Sequence, residues 1–260
     1  MPRVTTSTGR TIGYTESGCG DAVPIVFLHG VGSDKSVWHP QLAHFGRSRR
    51  AIAFDYPGYC DSDPAPEGTS RDDYAAAIIS ALNELGVERA HVCGLSLGGV
   101  IAIAVHHLAP QCCASLVLAD TFAVHPDGRA IYERSLAGSR ALPATAEARV
   151  DFLLAQPADA AVRREVVETM SRIDPAAYCI GAEAVWLADQ RDRAAAIDVP
   201  TLVVCGEDDQ PTPPELSRAL HAMIVGAKLE VIAGAGHLTN LERPDAFNAI
   251  VESFVGEAER

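Results

Sequence analysis

Six short apolar runs, rich in β-branched residues, recur along this chain: Pro24-Ile25-Val26-Phe27-Leu28, Arg50-Ala51-Ile52-Ala53-Phe54, Ala90-His91-Val92-Cys93, Ser115-Leu116-Val117-Leu118-Ala119, Pro200-Thr201-Leu202-Val203-Val204-Cys205 and Lys228-Leu229-Glu230-Val231-Ile232. Runs that are apolar at successive positions bury both faces of a strand. They belong to a parallel sheet covered by helices on either side. Helical periods fall between them, at Arg71 to Leu85, Leu97 to Leu108, Pro214 to Met223 and Pro244 to Val255. Thr11-Ile12-Gly13-Tyr14 reads as an antiparallel edge strand. The pattern predicts an α/β fold with a doubly wound, mostly parallel sheet.

One segment breaks the alternation. Residues 121–198 contain no convincing strand and are dominated by helical stretches rich in Ala, Arg and Glu, broken by Pro143, Pro157 and Pro175. An insertion of that length between two strands reads as a helical cap over the sheet. The expected organisation is a core of residues 1–120 and 199–260 with the cap at 121–198.

The chain's 260 residues are enough for one sizeable core. With 34 acidic against 21 basic residues, the net charge of −13 repels polyanions and argues against a nucleic-acid partner. The first residues lack the apolar core of a signal peptide. No apolar stretch reaches the ~18 residues that span a bilayer. The expectation is a soluble cytoplasmic protein without a membrane partner, with a homo-oligomer left open. Seven cysteines occur without C-x-x-C spacing. Cys93 and Cys205 lie in strand-like runs as buried thiols, and Cys112 and Cys113 are too close in sequence to bridge easily. Cys60 follows a turn near the presumed pocket and is read as a packing residue. Neither a metal site nor a cofactor is expected.

The chemistry begins at Gly94-Leu95-Ser96-Leu97-Gly98, which sets a serine between a strand-like and a helix-like run. A serine at such a turn is held in a strained conformation with its hydroxyl thrust into a pocket. The residues two before and two after must be small, because strand and helix approach closely there. The helix that follows aims free N–H groups and its positive dipole end at the same spot. The pattern alone also occurs in ordinary glycine-rich turns, so the reading depends on partners for the serine.

A serine hydroxyl needs a base, and a histidine base needs a carboxylate to orient it. In open α/β sheets such groups sit on loops at the carboxyl ends of strands. After the fifth run comes Gly206-Glu207-Asp208-Asp209-Gln210-Pro211-Thr212-Pro213, with three acidic candidates. After the sixth comes Ala233-Gly234-Ala235-Gly236-His237. Of nine histidines, His237 alone ends a glycine-rich loop directly after a strand. An oxyanion hole needs two N–H donors. Leu97, immediately after the serine, offers one. The loop His29-Gly30-Val31-Gly32 offers the other at Val31, with Gly30 allowing close approach of a substrate. A dinucleotide-binding turn fails here, because position 35 is Lys where a third glycine is needed.

With these residues in view, the sequence resembles the α/β-hydrolase family, in the small capped branch that includes 3-oxoadipate enol-lactonases, carboxylesterases and ring-cleavage-product hydrolases. The resemblance rests on Phe27-Leu28-His29-Gly30, Asp55-Tyr56-Pro57-Gly58, Gly94-Leu95-Ser96-Leu97-Gly98-Gly99, the Gly206–Pro213 loop and Gly236-His237, and covers nearly all of the chain except the cap. It implies the α/β-hydrolase fold. Members commonly carry G-x-x-D after the late strand, often continuing to Thr-Pro. In that frame Gly206 leads to Asp209 and then Thr212-Pro213, so the resemblance selects Asp209 as the acid. It also assigns the oxyanion role to Val31 and Leu97. One departure is Cys60, which stands where the family's D-x-x-G-x-G-x-S turn has its second glycine. Relatives with an aspartate nucleophile are excluded by Ser96.

The function expected is a serine hydrolase that cleaves a small carboxylic ester or enol-lactone through an acyl-enzyme on Ser96, with Asp209 and His237. Trp186 and Arg134 are candidate substrate contacts, Arg134 as one of three cap arginines (with Arg129 and Arg140) able to clamp a carboxylate. A C–C hydrolase of ring-cleavage products and a non-catalytic small-molecule receptor are the alternatives.

Overall fold

The computed structural model describes residues 2–260. Eight strands form one sheet: β1 (Arg3–Thr5), β2 (Thr11–Ser17), β3 (Ile25–Leu28), β4 (Ala51–Phe54), β5 (Ala90–Leu95), β6 (Cys113–Ala119), β7 (Thr201–Gly206) and β8 (Lys228–Ile232). Their spatial order is β1-β2-β4-β3-β5-β6-β7-β8. The six from β3 to β8 run parallel, and β2 runs antiparallel to both of its neighbours, β1 and β4. Every residue of β3, β4, β5, β6 and β7 is buried, as two-sided helical cover requires.

Two strand readings need correction. The Thr11–Tyr14 run is paired on both sides, since β1 lies outside it. β8 is the opposite edge, and most of it is open to solvent. Its charged Lys228 and Glu230 suit an edge, where charge discourages pairing with another chain.

The predicted crossover helices form at Arg71–Glu84, Leu97–Leu108, Pro214–Met223 and Pro244–Ala258. Ser70 starts the first of them with a reciprocal capping box to Asp73. The helix His39–Phe45 was not expected from periodicity, being only two turns long. Two apolar layers flank the sheet. One packs helices Arg71–Glu84 and Leu97–Leu108 against one face. On the other, Phe27, Trp38, Phe45 and Phe247 gather, with Trp38 stacked on Phe27 at 4.9 Å.

Between β6 and β7 the chain makes five helices: Gly128–Ser139, Leu142–Leu153, Ala160–Ser171, Pro175–Trp186 and Arg191–Ala195. The only pairing there is the isolated bridge Val124–Asp189. Residues of this insertion and of the loops at the carboxyl ends of β3, β5, β7 and β8 share one cavity wall. Among the described residues, no helix is long and apolar enough to cross a membrane.

Candidate active site

Ser96 sits between β5 and the helix Leu97–Leu108 with φ 56° and ψ −114°, a conformation that costs a side-chain-bearing residue about 1–3 kcal/mol. Its neighbours hold it there. Its N–H donates to the Ala119 carbonyl at 2.9 Å, and the Thr121 hydroxyl donates to its carbonyl at 2.8 Å. A Cβ on Gly94 would collide with the Gly98 carbonyl, as close strand–helix approach requires. Gly98 is small for a different reason: its Cβ would run into the carbonyl of Leu28 on the adjacent strand β3.

His237 ends the loop after β8. Its Nδ1 lies 3.0 and 2.9 Å from the two carboxylate oxygens of Asp209. The Nδ1–H therefore donates to Asp209, and Nε2 keeps its lone pair on the far side of the ring. Asp209 is buried, whereas Glu207 and Asp208 of the same loop are exposed. Thr212 holds the carboxylate in place: its N–H donates to Oδ1 at 2.9 Å and its hydroxyl to Oδ2 at 2.7 Å. Burial alone would push the His237 pKa down. The charge and hydrogen bonding of Asp209 outweigh that and hold it above the ordinary histidine value.

Ser96 and His237 line the same inner cleft, together with Gly30, Val31, Tyr178 and Trp186. Among the described residues, no acceptor takes the N–H of Val31 or of Leu97. The loop carrying Val31 is braced by two tyrosines that sequence reasoning passed over. Tyr56 donates to the His29 carbonyl at 2.8 Å, and Tyr59 to that of Val31 at 3.2 Å. Both tyrosines come from the Asp55–Ser62 turn. That turn is pinned to the same loop by Lys35, whose Nζ lies 2.5 Å from Asp55 and 2.6 Å from Asp61. Asp55, Cys60 and Asp61 approach one another closely, but the Lys35 ammonium already supplies the cation between the two carboxylates. Cys60 is not a packing residue. It is exposed and has φ 37°, the left-handed region that favours glycine.

Beside the cleft lies an outer chamber of about 770 Å³. Trp186, Pro211 and Arg149 line both spaces. Trp186 also stacks on Phe122 at 5.8 Å, so it serves packing and cavity wall together. Arg134 reaches the outer chamber and not the cleft; Arg129 and Arg140 line neither. The arginine near Ser96 is instead Arg149, on the helix Leu142–Leu153. Nothing in its sequence neighbourhood separates it from the other helix arginines.

Two further acids escaped the sequence reading. Asp120, fully buried at φ 46°, accepts the Gly206 N–H at 2.9 Å and lies 2.5 Å from the Thr239 hydroxyl. It links the ends of β6 and β7 with the segment after His237. Burial, with the charge of Asp209 nearby, pushes its carboxyl well above the usual carboxylate range. An acid and a threonine closing the apolar run Leu116–Ala119 were the available signal. Glu242 accepts the N–H groups of Ala155, Gly236 and Leu238 at 2.7, 2.9 and 3.3 Å. The N–H of His237 itself donates to the Leu153 carbonyl at 2.7 Å.

The chain is similar to proteins of known activity over nearly its whole length. It is 26% identical over 262 residues to 3-oxoadipate enol-lactonase 1 of Acinetobacter baylyi, covering 97% of this chain and 96% of that one. It is 26% identical over 272 residues to the 2-hydroxy-6-oxononadienedioate/2-hydroxy-6-oxononatrienedioate hydrolase of Klebsiella pneumoniae, covering 96% and 93%. The crystal structure of the enol-lactonase from Burkholderia xenovorans LB400 superposes with a TM-score of 0.90 at 27% identity, over 98% of this chain and all of that one. A family model described as the alpha/beta hydrolase family matches residues 25–250, and with the parallel sheet and the strained serine turn it places this chain in the alpha/beta hydrolase family.

Proposed function

We propose that the protein is a cytoplasmic serine hydrolase that cleaves a small carboxylic ester or lactone through Ser96, His237 and Asp209. The carrying observation is that His237, bound through Nδ1 to buried Asp209, faces the cleft into which Ser96 opens. The names of the enol-lactonase relatives support the reading.

In this reading Ser96 Oγ attacks the carbonyl carbon while His237 Nε2 takes its proton. The carbonyl oxygen becomes an oxyanion, received by the N–H groups of Val31 and Leu97. The carbon–oxygen bond to the leaving group then breaks, and His237 returns the proton to the alkoxide or enolate. Water attacks the acyl carbon, His237 takes a proton from it, and the bond to Ser96 breaks. The acid is released and Ser96 recovers its proton from His237. Asp209 stays ionised and stabilises the imidazolium. Residues 121–198 act as a cap that closes the cleft from above, with 1–120 and 199–260 as the core.

A panel of p-nitrophenyl esters, lactones and enol-lactones, assayed with wild type and Ser96→Ala, tests the proposal. Turnover of esters or lactones, abolished in Ser96→Ala, and labelling of Ser96 by a serine-directed phosphonate are expected. A folded wild-type protein that neither labels nor hydrolyses any of them overturns it in favour of a receptor. Preference for a vinylogous diketo acid overturns it in favour of carbon–carbon hydrolysis.

A further inference from the structure

The cleft that holds Ser96 and His237 is far smaller than the chamber beside it. It keeps about 40 Å³ of free space, against about 770 Å³ in the chamber. One helix of the insertion takes up much of the room. Val166 and Met170 stand one turn apart on Ala160–Ser171, so they share a face, and both are buried in the cleft wall. Met170 lies over Gly32. A Cβ built on that glycine would meet Met170 Sδ at 3.5 Å and Cγ at 3.7 Å, and nothing else within 4 Å. The helix is also fastened to the core on either side of these two residues. Glu165 approaches His39 Nε2 at 3.3 Å, and Arg172 pairs with Asp34, next to the loop 30–33, at 3.3 Å.

In the hydrolase reading, the tetrahedral carbon has two substituents to place once its oxyanion faces Val31 and Leu97. The leaving oxygen must come within reach of His237 to receive its proton. His237 is bound to Asp209, and the residues that follow Asp209, Gln210, Pro211 and Pro213, border the chamber. Pro211 lines both spaces. The leaving group therefore takes the chamber side, where Ile131 and Phe152 add apolar wall. The acyl chain is left with the loop 30–33, Val166 and Met170. Each further methylene forced into a packed site displaces its neighbours at a cost. Methionine, flexible as it is, can yield only as far as an anchored helix allows.

We propose that Met170 sets an upper limit on the acyl chain, so that the preferred substrates are esters of short acids with their bulk on the alcohol side. This rests on the hydrolase reading above and names the substrate class of the same site.

The test measures kcat/KM for p-nitrophenyl acetate, butyrate, hexanoate and octanoate with wild type, Met170→Ala and Gly32→Ala. Wild type should lose about 30-fold or more between butyrate and octanoate. Met170→Ala should raise the octanoate-to-acetate ratio about tenfold or more. Gly32→Ala adds a methyl at ordinary contact distance from Met170 Sδ, and should move the drop to between acetate and butyrate. Opposite shifts from the two substitutions are not what a general loss of fold produces, and Met170→Val reads the same widening if Met170→Ala does not fold. A flat wild-type series, or a series that the Met170 variants leave unchanged, overturns the proposal. So does a Met170→Ala effect that appears with ethyl against naphthyl acetate and not with acyl length. A second arm follows binding of butyramide and octanamide to Ser96→Ala by NMR, with and without Met170→Ala. Octanamide binding that requires Met170→Ala, without turnover of any ester by wild type, sustains the size limit and sinks the hydrolase reading. Turnover without length preference sinks the size limit alone, and neither turnover nor length-dependent binding sinks both.

Discussion

Thr212 grips both oxygens of Asp209, one with its amide and one with its hydroxyl, at 2.9 and 2.7 Å. The grip leaves the carboxylate one orientation in which to face His237. Thr212→Val keeps the amide bond and loses the hydroxyl. One hydrogen bond to a buried charge contributes about 1.5–3 kcal/mol. We expect kcat/KM to fall about tenfold or more in Thr212→Val, and Thr212→Ser to stay within about threefold of wild type. Steady-state kinetics on the best ester checks both.

His237 must be neutral at Nε2 to accept a proton, and Asp209 raises its pKa. The acid limb of kcat/KM is therefore expected above the ordinary histidine value of 6.5, with activity falling as pH drops through it. Stability runs the other way. A histidine whose folded pKa is raised contributes stability that is full below its unfolded pKa and is lost as pH rises through the folded value. A pH–rate profile beside urea melts at matched pH reads both slopes. An acid limb below 6.5 contradicts the Asp209 effect.

The strained turn at Ser96 carries its own cost. Ser96→Gly should relieve the φ 56° strain and raise stability by about 1–2 kcal/mol while abolishing ester hydrolysis. For a chain of this size that corresponds to a melting temperature higher by roughly 2–8 °C. A differential scanning run that shows Ser96→Gly melting below wild type refutes the strain argument.

Asp120, whose carboxyl burial pushes above the usual range, accepts from the Gly206 N–H and from the Thr239 hydroxyl. An amide of the same shape keeps the acceptor for Gly206 and can donate to the Thr239 hydroxyl oxygen in place of accepting from it. Asp120→Asn should retain stability and activity within about threefold. Asp120→Ala leaves the Gly206 N–H and Thr239 hydroxyl without their partner and should cost about 2 kcal/mol or more. Chemical denaturation of the two variants side by side decides it.

Much of this molecule was legible in its sequence because its strands are buried on both faces. Continuous apolar runs such as Ile25–Leu28 and Leu116–Ala119 admit few alternatives, and glycines at 94 and 98 mark where backbones nearly touch. What stayed hidden depends on long-range placement. β1 is only three residues long, so it has no period to read. Arg149 looks like any helix-surface arginine until the helix is laid against Tyr178. Glu242 is one acid in a polar stretch until its carboxylate is seen collecting amides from Ala155, Gly236 and Leu238. Cys60 was misread because the left-handed backbone that its position demands has no signature in the residue itself.

The Leu153 carbonyl accepts the His237 N–H and the Glu242 carboxylate accepts the Ala155 N–H, so the inserted segment and the imidazole share a common foundation. Grafting a foreign insertion from a relative onto this core would transplant half of a joint. Chimeras that exchange the 142–155 stretch without its matching 236–242 partner should therefore lose turnover before they lose fold.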